Sequence, residues 1–329
     1  MKINALRSIA CCLTAAWVAT STVAPAFAAD SSYPNRPLRI IVSTTPGGGP
    51  DIMARLIGQR LAESLGQQAV IDNRAGASGI IGTELASQAA PDGYTLLLAT
   101  GQNSIVQGMY EGRLKYHLAR DFAPIILIAT TPFVLVIHPS VAAQSVEQLI
   151  ALAKAKPGAL RYGTSGAGSP PHLSAEVFKS MTGTDLQHIP YKGVAPALND
   201  VVAGHIQLVF SAIAAALPFV KSERLRALGI SSATRSAILP DLPAIGETVS
   251  GYEFIGWYGL VAPARTPGAI IARINAELAR AFNTPEFQAR FSDLGADPAG
   301  GTPGEFRTFM VAHMEKMRKA VEASGARPE

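Results

Sequence analysis

The sequence predicts an α/β protein with mostly parallel sheets, divided into two domains. Strand-like and helix-like segments alternate along the chain, which is the pattern of α/β architecture. The 329 residues are 48% hydrophobic and only 16% charged, a composition typical of large buried cores and not of disordered chains. A chain of this length suits two domains of about 100 to 200 residues each.

Residues 1–28 have the features of a secretory signal peptide. Lys2 and Arg7 precede an apolar run that ends at a small-residue cleavage motif, Ala26-Phe27-Ala28. This run is too short and too rich in small residues for a membrane span of ~20 residues. We therefore expect cleavage after about Ala28 and export to the periplasm.

Removal of this segment changes what the chain can do. Both cysteines, Cys11 and Cys12, lie inside it, so the mature chain should have no disulfide, no thiol nucleophile and no cysteine metal site. Loss of Lys2 and Arg7 from the 28 basic residues leaves 26 against 24 acidic ones. That balance argues against nucleic acid as a partner, and we expect a monomer without a cofactor or a metal.

The first half of the mature chain shows the alternation clearly. Residues 38–42 form an apolar run that suits a buried strand. A glycine loop follows, and apolar residues then recur every fourth position from Met53 to Leu65, as in a helix that Gly66 ends. Further strands are predicted at 69–71, 95–99, 125–129 and 133–137, with a helix at 78–88 and a break at Pro132.

The second half continues the pattern and ends in helices. Thr266-Pro267 and Thr284-Pro285 each place a capping residue before a proline at the first helical position. Thr302 and Glu305 have the spacing of a capping box. Strands are predicted at 160–163, 186–189, 206–210, 225–230 and 254–262, and helices at 146–155, 171–181 and 195–203.

Three polar loops follow predicted strands. The first is Ser43-Thr44-Thr45-Pro46-Gly47-Gly48-Gly49-Pro50-Asp51, where a helix begins after three glycines. The second is 163–172, rich in Gly and Ser, and the third is 100–104. Glycines let a ligand approach the backbone, and free N–H groups at a helix start attract anions. Loops at the carboxyl ends of strands form the binding cleft of open α/β sheets, so we expect one small-molecule site there.

Several other site types are disfavoured. A dinucleotide fingerprint would need glycine at Ile52, and no Gly-Lys-Ser/Thr sequence follows the first loop. None of the six histidines has metal-ligand spacing. A hydrolase using Ser165 or Ser169 with His172 remains an alternative, although its nucleophile elbow would need glycine at Ala167.

Five motifs, in this order and spacing, resemble the Bug (Bordetella uptake gene) or TctC-like family of periplasmic receptors of tripartite tricarboxylate transporters. They are Pro46-Gly47-Gly48-x-x-Asp51-x-x-Ala54-Arg55, Asn73-Arg74-x-Gly76-Ala77-x-Gly79-x-x-Gly82, Pro91-Asp92-Gly93-Tyr94-Thr95-Leu96, Pro190-Tyr191-Lys192-Gly193 and Leu239-Pro240-Asp241-Leu242-Pro243. The resemblance covers the mature chain from about residue 33 to the C-terminal helices.

The resemblance implies a two-domain periplasmic-binding-protein fold of the Venus-flytrap type with two interdomain crossovers. Apolar strands flanked by Pro or Gly place the crossovers near 129–133 and 250–257. Domain one would then comprise 30–130 plus 252–329, and domain two 131–251. The resemblance further implies a non-enzymatic receptor that holds a small carboxylate, such as a di- or tricarboxylate, and delivers it to membrane transporter subunits. A sensory receptor that presents its ligand to another membrane partner is a further alternative.

The predicted ligand-binding residues combine the three loops with the strand end at 211. The first loop often reads Pro-Phe in relatives before its Pro-Gly-Gly, whereas here Ser43, Thr44 and Thr45 stand there. On a strand, Ser43 and Thr45 would share one side. These hydroxyls favour a hydroxy-dicarboxylate or citrate-like acid over an aromatic one, unless Trp257 faces the cleft. The expected ligand-binding residues are Thr44, Thr45, Gly47, Gly48, Gly49, Gln102, Asn103, Ser104, Ser165, Gly166, Ser169 and Ser211.

Overall fold

The apolar run at 38–42 forms β1 (Leu38–Val42), with the bounds that the sequence predicts. The computed structural model describes residues 33–191, 193–236 and 239–324. The predicted signal peptide and Lys192 therefore lie outside the described residues. In the described part, ten strands form a continuous sheet whose main path has the order β2-β1-β3-β9-β4-β7-β5-β6, while β8 and β10 pair with β4. The ten strands are β1, β2 (Ala69–Asn73), β3 (Thr95–Thr100), β4 (Phe122–Ile137), β5 (Arg161–Thr164), β6 (Gln187–Pro190), β7 (Leu208–Ala212), β8 (Arg226–Ile230), β9 (Ile255–Pro263) and β10 (Asp297–Gly300).

The sheet has two parts, which we call the first sheet and the second sheet. Both include the long strand β4. In the first sheet, the segment 122–132 of β4 pairs with β9 and β10. In the second sheet, its segment 133–137 pairs with β7 and β8. The predicted break at Pro132 is wrong, because Pro132 continues the strand and pairs with Ile255 of β9. A proline can occupy a strand where its missing N–H faces no partner.

Helices cover the two sheets, and most begin where the sequence predicts. The first, α1 (Gly49–Leu65), ends at Gly66, whose φ of 71° is left-handed and favours glycine. The predicted loop 100–104 is instead the start of α3, because its residues cap and enter a helix. The remaining helices are α2 (Ile80–Ser87), α3 (Gly101–Met109), α4 (Val146–Ala155), α5 (Pro170–Thr182), α6 (Val194–Val202), α7 (Ile213–Lys221), α8 (Gly268–Phe282), α9 (Pro285–Asp293) and α10 (Pro303–Ser324).

The caps that the sequence predicts for the C-terminal helices can be compared directly with the structure. Thr284 is the N-cap of α9, as predicted. The capping box of α10 is confirmed, because Glu305 accepts the Thr302 N–H at 2.7 Å and donates its own N–H to Thr302 Oγ1 at 3.2 Å. The predicted cap at Thr266 is wrong by one residue, since α8 begins at Gly268 and Pro267 is its N-cap. Strand β10 has no apolar signal in the sequence and was not predicted.

Helix α10 contributes to the cores of both sheets. Phe306 and Met310 pack with Trp257 and Phe122 against the first sheet. About two to three turns later, Met317 belongs to the core that covers the second sheet. From Pro34 onward the described residues form one compact unit. The predicted domain bounds therefore stay a prediction, although β4 divides its pairing near the first predicted crossover. Among the described residues, no helix is both long and apolar enough to cross a bilayer.

Candidate functional site

Two of the predicted loops meet because of the strand order of the first sheet. β1 and β3 are parallel neighbours, with Val42 opposite Leu98. Their carboxyl ends therefore lie at the same edge, which brings the first loop, 43–48, beside the start of α3. β5 and β7 are parallel neighbours in the second sheet, so the second loop, 165–169, and Ser211 share an edge there.

The first loop is held from within by Asp51. This side chain is 3% exposed, and its carboxylate accepts the Gly47 N–H at 3.0 Å and Arg55 Nε at 3.0 Å. The hydrogen bond from Arg55 lowers the pKa of Asp51 below its ordinary value, so the carboxylate stays ionised. Gly47 is therefore a structural donor, and the glycine N–H groups left for a ligand are those of Gly48 and Gly49.

The three hydroxyl residues of the first loop differ in burial. β1 ends at Val42, so strand alternation does not reach them, and the predicted pairing of Ser43 with Thr45 on one side is wrong. Ser43 is 5% exposed and lies beneath Gly79 and Gly82, whereas Thr45 is exposed. Thr44 is half-buried, and its Oγ1 is fully buried without a hydrogen-bond partner among the described residues. A ligand could supply the missing partner.

The start of α3 contains one capping side chain and one unpaired hydroxyl. Asn103 Oδ1 accepts the Thr100 N–H at 2.7 Å, and its Nδ2 donates to Thr83 Oγ1 at 2.8 Å. Both ends of the Asn103 amide are thus used by the fold, which leaves it little capacity for a ligand. Ser104 is fully buried, and its Oγ has no partner in the part of the chain that is described.

The second loop uses most of its own polar groups. The Thr164 hydroxyl accepts the Gly166 N–H at 3.2 Å, and Ser169 Oγ donates to the Gly166 carbonyl at 2.7 Å. Gly168 donates its N–H to His172 Nδ1 at 3.0 Å. The amides of Ser165 and Ala167 form no hydrogen bond with another described residue, and both residues are half-buried. These two amides are the donors that this loop can offer.

Helix α5, which follows the second loop, has fewer free amides to bind an anion than the glycine-rich loop before it suggests. Pro170 and Pro171 occupy its first two positions, and proline has no backbone N–H. His172 is the first residue of α5 with an amide proton. The expected contribution of this helix start to anion binding is therefore small.

A side chain of the first sheet reaches the second loop. Gln102, at the start of α3, donates from Nε2 to the Gly168 carbonyl at 3.4 Å. A side chain on Gly168 would overlap Met109, also on α3. Two predicted site segments from different sheets thus come together. Ser211 is fully buried, and its hydroxyl donates to the Ala212 carbonyl at 3.1 Å, so its role is local.

His172 belongs to a buried polar network behind the second loop. Its ring stacks on His188 with centroids 4.2 Å apart, and its Nε2 lies 3.9 Å from Glu176 Oε1. Glu176 also accepts hydrogen bonds from Tyr162 and from Lys179 Nζ. Burial, with a smaller contribution from His188, lowers the pKa of His172 to about 4, so the imidazole is neutral near neutral pH.

This network does not support the hydrolase alternative. His172 Nδ1 is occupied by the Gly168 N–H, and Ser169 Oγ points to the Gly166 carbonyl. A serine nucleophile needs its hydroxyl within hydrogen-bond reach of the base. Neither Ser165 nor Ser169 forms a hydrogen bond with the imidazole of His172.

The two aromatic residues on β9 face opposite sides of the first sheet. Trp257 is 1% exposed and packs edge-on against Phe306 and His313 of α10, so it offers no stacking surface to a ligand. Tyr258, the next residue, is half-buried and approaches Gly49, where an added Cβ would lie 2.5 Å from its Oη. Sequence reasoning missed Tyr258, although strand alternation alone places one of these neighbours on each face.

Comparisons with known proteins identify the family. Residues 53–326 match the family of tripartite tricarboxylate transporter family receptors, TctC. BugT of Bordetella pertussis is 36% identical over 315 residues, which cover 94% of this chain and 96% of BugT.

Two solved structures are similar over their whole length. Rpa4515 of R. palustris with adipate has a TM-score of 0.82 at 35% identity and covers 90% of this chain and 100% of its own. MatC of Rhodopseudomonas palustris with bound malate has a TM-score of 0.77 at 26% identity, covering 88% and 100%. The predicted α/β fold of the periplasmic-binding-protein type is thereby confirmed, and so is the prediction of a receptor and not an enzyme. The chain belongs to the TctC, or Bug, family of periplasmic solute receptors.

Proposed function

We propose that this receptor binds a small carboxylate between the two sheets and delivers it to a tripartite tricarboxylate-type membrane transporter. The main observation in support is the meeting of the start of α3 with the second loop, where Gln102 contacts Gly168. Buried hydroxyls without partners, those of Thr44 and Ser104, belong to the same set of predicted site residues. A buried polar group without a hydrogen bond costs about 1–3 kcal/mol, and a ligand that pairs with it removes that cost.

The ligand donors identified among the described residues are neutral. Amides of Gly48, Gly49, Ser165 and Ala167 and hydroxyl groups can all donate to a carboxylate, whereas Arg55, on the first turns of α1, is engaged by Asp51. Each neutral hydrogen bond contributes about 0.5–1.5 kcal/mol net, so several must converge on one carboxylate. The adipate and malate bound to Rpa4515 and MatC are acids of the size that such a set could hold.

A polar ligand is favoured over an aromatic one. Trp257 is buried in the core and is not available for stacking, while the first loop offers the Thr44 hydroxyl. Hydroxy-dicarboxylates and citrate-like acids carry hydroxyls and further carboxylates that can pair with such groups, whereas a benzoate-like acid has one carboxylate and an apolar ring.

Calorimetric titration of the mature protein tests the proposal. Adipate, malate and citrate should include at least one saturable ligand without turnover, and the fully amidated form of that acid should bind much more weakly because it lacks the charge. Benzoate and nicotinate serve as aromatic competitors. Absence of binding to all the aliphatic acids, or equal binding of the acid and its fully amidated form, would refute the carboxylate assignment.

Closure and delivery need separate measurements. Both sheets contribute loops, so the ligand should draw them together and reduce the radius of gyration in solution scattering.

Transporter coupling should appear as uptake of the same acid by cells that express the membrane subunits, and only when the receptor is supplied. Uptake that does not depend on the receptor would contradict the delivery role.

A further inference from the structure

Tyr258 lies at the ligand edge of the first sheet. In the register of β9, it is opposite Thr100, the last residue of β3, which directly precedes α3. It is also opposite Ala129 of β4. The backbone of Tyr258 is therefore at the strand ends where the first loop and α3 begin, and not in the middle of the sheet.

Its side chain is directed to the α1 face of that sheet. Trp257 and Gly259 both face α10, since Trp257 packs on Phe306 and an added Cβ at Gly259 would overlap the same ring. Alternation along the strand then turns Tyr258 to the opposite face. The short approach to Gly49, the first residue of α1, agrees with this direction.

Gly49 leaves room for the phenol. Its missing side chain allows the Tyr258 hydroxyl to lie against the first turn of α1, where an added Cβ would be 2.5 Å from Oη. By contrast, an added Cβ at Gly48 would have no atom nearer than 3.8 Å. The hydroxyl thus lies beside the amides of the first loop that are not used by Asp51.

The hydroxyl is available for a ligand and carries its proton. No described residue forms a hydrogen bond with Tyr258 Oη. Burial raises the pKa of the phenol to about 12, so it is a neutral donor throughout the physiological pH range. Because the residue is half-buried, the hydroxyl can be reached by a ligand, and an anionic oxygen is the acceptor that suits it best.

We infer that Tyr258 is a ligand-binding residue, whose hydroxyl donates a hydrogen bond to a carboxylate of the bound acid beside the Gly48 and Gly49 amides. The inference rests on the proposed carboxylate-receptor function and adds a specific donor to it. It also adds a strong donor to the neutral groups that the described residues offer, since a phenol donates a strong hydrogen bond to a carboxylate.

The test removes the hydroxyl and, separately, displaces it. Tyr258→Phe deletes the donor and keeps the ring, while Gly49→Ala keeps the donor and pushes it aside. Because a hydrogen bond to a charged group is lost, Tyr258→Phe should weaken binding of the best acid among adipate, malate and citrate roughly 10- to 100-fold. Gly49→Ala should also weaken binding of this acid, because the added Cβ displaces the Tyr258 hydroxyl.

Tyr94→Phe is the matched control. It makes the same chemical change just before the first residue of β3, at the other end of that strand, where the hydroxyl donates to Asn35 Oδ1 at 2.8 Å. Its affinity for the acid should equal that of the unaltered protein. Circular dichroism and the melting temperature check that each variant is folded.

The outcomes separate the two proposals. If the unaltered protein binds an acid and Tyr258→Phe binds it equally well, the role of Tyr258 is wrong and the receptor function stands. If the unaltered protein binds none of the acids, both fall together. Should Tyr258→Phe fail to fold, Gly49→Ala decides, and unchanged affinity in that variant overturns the inference.

Discussion

Two buried histidines should make this protein lose stability in mild acid. Burial lowers the pKa of His172 and of His313 to about 4, from an ordinary value of 6.5. Because the folded-state pKa is the lower one, the unfolded chain binds protons first as the pH falls. The stabilising contribution is therefore complete above about pH 7 and is lost progressively between about pH 6.5 and pH 4.

The magnitude follows from the same values. For one histidine with these two pKa values, linkage predicts a loss of about 2 kcal/mol in the free energy of unfolding between about pH 7 and pH 5. Both side chains are buried, with His172 7% and His313 8% exposed, so solvent screening reduces this little. His313 Nε2 contacts the Ile255 carbonyl at 3.3 Å, and its Nδ1 has no partner in the described chain.

Urea denaturation at the two pH values measures the effect. His172→Gln and His313→Gln should each reduce the difference in free energy of unfolding between the two conditions by about 2 kcal/mol. Any fixed cost of the substitution cancels in that difference. His205→Gln is the control, because the side chain of His205 is 71% exposed. A full pH dependence retained in both buried variants would show that neither histidine has a lowered pKa in the folded state.

Three further outcomes follow from the packing. Gly259→Ala should cost about 1–3 kcal/mol in urea denaturation, because its Cβ would overlap the Phe306 ring, whereas Gly268→Ala meets no atom within 4 Å and should cost far less. Asp51→Ala should lower stability by about 1 kcal/mol by removing the hydrogen bonds from the Gly47 amide and Arg55, and an unchanged denaturation midpoint would contradict that anchoring role. Gly48→Val should stay folded, since its φ of −81° suits any residue, yet calorimetry should show weaker acid binding; unaltered affinity would mean that the ligand does not approach this backbone.

Sequence patterns predict correctly those elements that depend on residues close together in the chain. The strand at 38–42, the helix stop at Gly66 and the Thr302–Glu305 capping box depend on residues close in sequence, and all three are confirmed. The long strand β4 was not predicted as one element. Proline usually interrupts a strand, so the sequence around Pro132 predicts a break. Pairing with Ile255, from a distant part of the chain, continues the strand through Pro132 instead.

The site shows the same division between local and distant causes. Polar residues in loops were expected to face a ligand, yet Asn103 caps α3 and bonds to Thr83, which is twenty residues away in sequence. Gly47 donates to Asp51. Conversely, Tyr258 lies in an apolar strand far along the chain, and only the placement of β9 beside β3 brings it to the first loop. Which side chains remain free for a ligand depends on partners that the sequence pattern does not reveal.

The position of β9 has a consequence for how the chain is made. β9 lies between β3 and β4 in the first sheet, but the ribosome synthesises it only after β4 to β8. Until then, β3 has no partner on one side and β4 lacks its longest pairing, so hydrogen-bonding edges stay open. Phe306 and Met310, which cover this region, emerge later still. A chain in which β9 and α10 have not yet joined the sheet therefore keeps open strand edges, the feature that makes partly folded proteins prone to aggregation.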